Sequence, residues 1–112
     1  MKVYGIKACD TCRKARRWLD EQGRGYQWHD LREDGLDEET LQRWLATIGP
    51  DTLVNRRSTT WRGLSESERE QAMNPKKSIP ILLTSPTLIK RPIFETAAEI
   101  LVGFNADVRD KL

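Results

Sequence analysis

The chain is short of the residues that mark several kinds of protein, and each shortage narrows what it can be. It holds only two cysteines and one histidine among 112 residues. Two cysteines cannot form a disulfide framework, and with His29 the only other typical ligand, the four donors usual for structural zinc are missing. No apolar run approaches about 18 residues, so no membrane span is expected. Neither sign of charge dominates. Nineteen basic against seventeen acidic residues leave +2, too balanced for composition to suggest nucleic-acid binding. The amino terminus lacks the n-region and h-region of a signal peptide. Repeats, linkers and low-complexity tracts are absent. These exclusions leave one domain over 1–112 with a single modest core. A monomer in a reducing cytosol is expected, where any disulfide would be transient and catalytic.

What is present is concentrated early. Both cysteines lie in Ala8-Cys9-Asp10-Thr11-Cys12-Arg13-Lys14, after the apolar Val3-Tyr4-Gly5-Ile6. Cys12, Ala15, Leu19 and Gln22 then share one helical face, so the stretch reads as strand, short loop, helix. Asp10 and Thr11 are the natural N-cap candidates. Unpaired N–H groups at a helix start favour an anion, and only the thiolate form of cysteine is a good nucleophile. Cys9 is therefore the expected nucleophile. Cys12, one turn on, could resolve a mixed disulfide, while Lys7, Arg13 and Lys14 add positive charge nearby. The competing reading is two ordinary buried cysteines.

The remaining elements follow in order. Helix 1 should end near Gln22, with Gly23 in the left-handed conformation. Tyr26–Leu31 alternates as a second strand, carrying His29 as a strand-face residue rather than a base. Glu33-Asp34-Gly35 is a turn, and Asp37 caps a helix built on Leu41, Trp44, Leu45 and Ile48. Gly49-Pro50 stops it, with one more turn to Val54. Asn55–Gly63 has no period and reads as a polar loop with three arginines and a tryptophan, the second candidate site. Ser65-Glu66-Ser67-Glu68 fits a capping box. Ser78–Thr84 suits strand or helix, and Pro80 tips it to a short helix. Ile93–Glu95 and Ile100–Phe104 read as a hairpin, and Asn105 caps a last helix.

These pieces resemble the arsenate reductase (ArsC)/Spx family of thioredoxin-fold proteins, closest to its YffB subgroup. The carriers are Tyr4–Ala15, Asn55–Arg62, Ser85–Ile93 with its Leu-Ile-Lys-Arg-Pro-Ile string, and Val102-Gly103-Phe104-Asn105. The resemblance implies an α/β fold, a thioredoxin-like βαβ–ββα sheet with a helical insertion at about 36–90. It implies that Cys9 is catalytic, that Arg91 is an active-site arginine and that Pro92 follows a cis bond. Arg56 or Arg57, with Arg57 preferred, would supply a further arginine. Arsenate reductases carry Cys-x-x-Ser and a late arginine, where this chain has Cys12 and Val102-Gly103-Phe104. Spx regulators have CxxC but a longer tail.

A thiolate, a guanidinium and a cis-proline suit a small anionic thiol, and glutathione has two carboxylates for arginines to grip. The expected activity is a glutathione-dependent thiol–disulfide reductase with Cys9, Cys12 and Arg91 catalytic. Glutathione would serve as cosubstrate, with no bound cofactor, and a small or protein disulfide as the other substrate. Lys7, Asp10, Thr11, Arg56, Arg57, Arg91 and Pro92 form the expected glutathione- and anion-binding set. The alternatives are a redox-sensitive Spx-like regulator binding RNA polymerase, and an arsenate reductase.

Overall fold

Strand β1 (Lys2–Gly5) is internal to a four-stranded sheet ordered β2-β1-β3-β4. Its Val3, Tyr4 and Gly5 are all buried. That suits a short apolar run better than strict alternation would, since an internal strand is covered on both faces. The computed structural model describes residues 1–112, and they gather into two units. One comprises Met1–Gly35 and Arg91–Leu112, the other Leu36–Lys90.

In the first unit β1 pairs parallel with β2 (Gln27–Asp30), in register from Lys2↔Gln27 to Gly5↔Asp30. On its other side it pairs antiparallel with β3 (Ile93–Glu95), which forms a hairpin with β4 (Ile100–Val102). Helix α1 (Asp10–Glu21) buries Cys12, Ala15 and Leu19. Gln22, expected on that face, is instead the exposed C-cap residue, where the helical period has ended. Gly23, at φ 65°, turns the chain out of the helix. Its N–H donates to the Asp20 carbonyl at 3.1 Å and the Arg24 N–H to Leu19 at 2.9 Å, the bond pattern of a Schellman cap. Helix α6 (Ala106–Lys111) opens on Asn105, whose Oδ1 accepts the Val108 N–H at 2.9 Å. Val3, Ala15, Leu19, Phe94, Leu101 and Val108 form the core here. Each large apolar side chain fully buried in this way contributes roughly 1.5–3 kcal/mol.

The second unit is helical. Asp37 caps α2 (Glu38–Leu53) by accepting the Thr40 N–H at 2.7 Å. Gly49, at φ 74° and ψ 166°, breaks the helix, and Pro50 starts the turn that reaches Leu53. The expected loop Asn55–Gly63 is corrected in part: Ser58 caps a short helix α3 (Thr59–Arg62), its Oγ accepting the Trp61 N–H at 3.1 Å. A single turn held by its own side-chain cap leaves no hydrophobic period to read. Helix α4 (Glu66–Ala72) opens on the reciprocal Ser65–Glu68 capping box. Helix α5 (Ser78–Thr84) takes Pro80 in its first turn, where the missing N–H costs little. A 3₁₀ turn, Pro86–Leu88, follows. Val54 and Ile89 form an antiparallel bridge. No helix is long and apolar enough to cross a membrane.

Candidate active site

Past Gly5 the chain leaves the sheet for three residues, Ile6 to Ala8, and enters α1 at Cys9. The Cys9 N–H donates to the Ile6 carbonyl at 3.0 Å, and the Cys9 carbonyl accepts the Arg13 N–H at 3.0 Å. Cys9 itself is therefore the N-cap, extended at φ −76° and ψ 123°. This corrects the assignment of that position to Asp10 or Thr11, which stand exposed in the first turn. The turn closed on Ile6 sets the switch from extended to helical backbone, and side-chain preference does not move it.

Cys9 is half-buried and Cys12 is 1% exposed, and neither is in a disulfide. Partial burial by itself would raise the Cys9 thiol. The Cys12 amide, the Cys12 thiol and the Arg91 guanidinium outweigh it, and the net direction is down. No full-geometry hydrogen bond runs from the Cys9 side chain into the helix, but the Cys12 amide, in the N3 position, still favours its anion. Cys12 goes the other way. Burial, reinforced by the adjacent Cys9, pushes its thiol up to about 12, despite the Ile6 amide. One thiol is prepared to lose its proton and the other to keep it.

Gly5 makes room for this arrangement. A Cβ there would lie 2.5 Å from the Cys12 sulfur and 2.8 Å from the Trp28 ring. Reading the chain as a strand passed over that residue, although a glycine inside an apolar strand is a signal of close approach. Arg91, the first residue of the unit's second segment, reaches Cys9, and the Arg91–Pro92 bond is cis. The buried Pro92 offers its carbonyl to the Gly103 N–H at 2.8 Å.

The structure thus brings Cys9, Cys12 and Arg91 together, with Pro92 next in the chain. Lys7 is exposed, and its backbone N–H donates to Asp30 at 2.8 Å. Asp10 pairs with Arg13 at 3.6 Å, and the Arg13 Nε also donates to the Lys7 carbonyl at 3.3 Å. His29 is engaged elsewhere, its Nε2 on the Gly35 carbonyl and its ring 5.0 Å from Tyr4. Arg56 and Arg57 belong to the helical unit. There they line a depression of about 410 Å³ with Val54, Asn55 and Lys90, three cations and no carboxylate.

Comparison with known proteins agrees with this geometry. A solved structure of a YffB protein superposes with a TM-score of 0.89 at 44% identity, over 98% of this chain and 96% of that one. An arsenate reductase (ArsC) related protein from Brucella melitensis gives 0.79 at 39%, over 98% and 91%. The global transcriptional regulator Spx of Lactiplantibacillus plantarum is 26% identical over 107 residues, 94% of this chain and 80% of its own. The profile of the ArsC family matches residues 4–112. A βαβ–ββα thioredoxin-like sheet, a thiol at the start of α1 and a profile match along nearly the whole chain agree: this protein belongs to the ArsC family.

Proposed function

We propose that the protein is a glutathione-dependent thiol–disulfide reductase with Cys9 as its nucleophile. The observation that carries this reading is the opposite displacement of two thiols one helical turn apart, with Arg91 beside the lower one. The Cys9 thiolate attacks one sulfur of a substrate disulfide. A Cys9–sulfur bond forms, the substrate S–S bond breaks, and the released thiolate takes a proton from water. A glutathione thiolate then attacks the mixed disulfide at its non-protein sulfur and expels Cys9 as thiolate, leaving a glutathione–substrate mixed disulfide. A second glutathione thiolate attacks the glutathione sulfur of that species and expels the substrate thiolate, so that two glutathione thiols are oxidised to one disulfide for each substrate disulfide reduced. Cys12 could perform the second attack instead, giving a Cys9–Cys12 disulfide that glutathione reopens. Its burial and its retained proton favour the first route. Arg91 stabilises the Cys9 thiolate, and Arg57 with Arg56 offers a bidentate grip for carboxylate.

Cys9→Ser should reduce glutathione-dependent turnover of a small disulfide to background and abolish the Cys9–glutathione adduct seen by mass spectrometry. Turnover that survives the substitution would sink the assignment. The likeness to Spx favours a second reading, a redox-sensitive regulator that binds RNA polymerase. Co-purification with the polymerase, lost on oxidation of Cys9, would support it.

A further inference from the structure

We propose that Asp30 is a positioning residue for Cys9: its buried carboxylate ties the loop between β1 and α1 to the end of β2 and holds the nucleophile at the helix start. This rests on the thiol-redox reading of the Cys9 site. Asp30 is 1% exposed, a place where carboxylates are rare unless their oxygens are satisfied. Its Oδ1 accepts the N–H groups of Arg32 at 2.8 Å and Glu33 at 2.9 Å, which shape the turn after β2. Its Oδ2 accepts the Lys7 N–H at 2.8 Å, across 23 residues of sequence.

That third bond does something a local turn does not need. Lys7 is the middle residue of the three that lie outside the sheet, two positions before Cys9. The loop is held at its start by the Leu31 N–H on the Gly5 carbonyl at 2.8 Å, and at its end by Cys9 on Ile6. Asp30 supplies the anchor between them. Burial favours the protonated acid, but the amides of Glu33, Lys7 and Arg32 overcome it and keep the carboxylate ionised. The charged groups around it are Arg32, Glu33 and Asp34, whose Oδ2 accepts the Asp30 N–H, together with Lys7 and Arg13, which line with Asp30 a separate depression of about 300 Å³.

The geometry supplies a selective test. In Asp30→Asn one oxygen remains. Turned toward Arg32 and Glu33 it keeps the turn, and its NH₂ then faces the Lys7 N–H, donor against donor. The variant should fold, with an unchanged far-UV spectrum, while the loop before Cys9 loosens. Iodoacetamide labelling of Cys9 near pH 6 should slow by about threefold or more and regain the wild-type rate at high pH, where the thiol is ionised in both proteins. In the unsubstituted protein the Lys7 amide should exchange with deuterium at least about tenfold more slowly than the neighbouring Ala8 amide. A folded Asp30→Asn protein labelled at the wild-type rate would overturn the proposal, and so would a Lys7 amide exchanging as fast as Ala8. If the variant does not fold, the exchange measurement decides alone. Neither readout uses glutathione or a disulfide substrate, so a failed reductase assay leaves this result standing.

Discussion

At neutral pH the Cys12 thiol, pushed up to about 12, keeps its proton and can donate it toward the Cys9 sulfur, one of the influences that lower Cys9. On the route in which glutathione resolves the mixed disulfide, Cys12 thereby serves the nucleophile as a donor and does not itself attack. Replacing it with alanine removes that donor, and the Cys9 labelling midpoint should move up in pH while turnover in excess glutathione persists. Serine at the same position keeps a hydroxyl donor and should raise the midpoint less. Mass-resolved alkylation against pH measures both. Turnover lost in Cys12→Ala with glutathione in excess would instead make Cys12 the resolving thiol.

At the level of elements, α1 can lie close to β1 because Gly5 has no side chain. The sulfur of Cys12 and the ring of Trp28 occupy the space that a Cβ would need. Gly5→Ala should cost about 1–3 kcal/mol in urea denaturation, the usual cost of overpacking a filled core. Combining it with Cys12→Ala should recover part of that cost, because one of the two crowding atoms is gone, and the coupling of the pair is the readout. Additive losses would mean that the strain sits at Trp28. Helix α3 shows the opposite limit of element reading: a single turn set by the Ser58 hydroxyl has too few residues for periodicity to register.

For the molecule as a whole, Asp30 predicts how stability responds to acid. Its carboxyl is held below the ordinary aspartate value, so the folded state binds this proton less readily than the unfolded chain does. The stabilisation it contributes is therefore complete above the unfolded value, about pH 4, and is lost as pH falls from there through the folded value. Urea midpoints of wild type and Asp30→Asn should differ near pH 6 and converge toward pH 3. A gap that stays constant would show that the carboxylate charge is not what is being lost.

Much of this was legible in the residues alone. The period of Cys12, Ala15 and Leu19, the left-handed Gly23, the caps at Asp37, Ser65 and Asn105, and the two short apolar runs of the hairpin all act through neighbours a few positions away, so their signals lie along the chain. The CxxC motif likewise marked the candidate thiol site, while Arg91 and Pro92 were singled out only through the resemblance to the ArsC/Spx family. What only the tertiary structure decided are relations between distant residues: that the helix begins on Cys9 itself, that Gly5 opens a place for the Cys12 sulfur, that Arg91 reaches the thiol, and that Asp30 binds the Lys7 amide. Local propensity reports how a backbone bends. Which distant atom then fills a space, or shares a proton, is set by packing, because close approach and burial exist only once the strands have paired and the helix has docked.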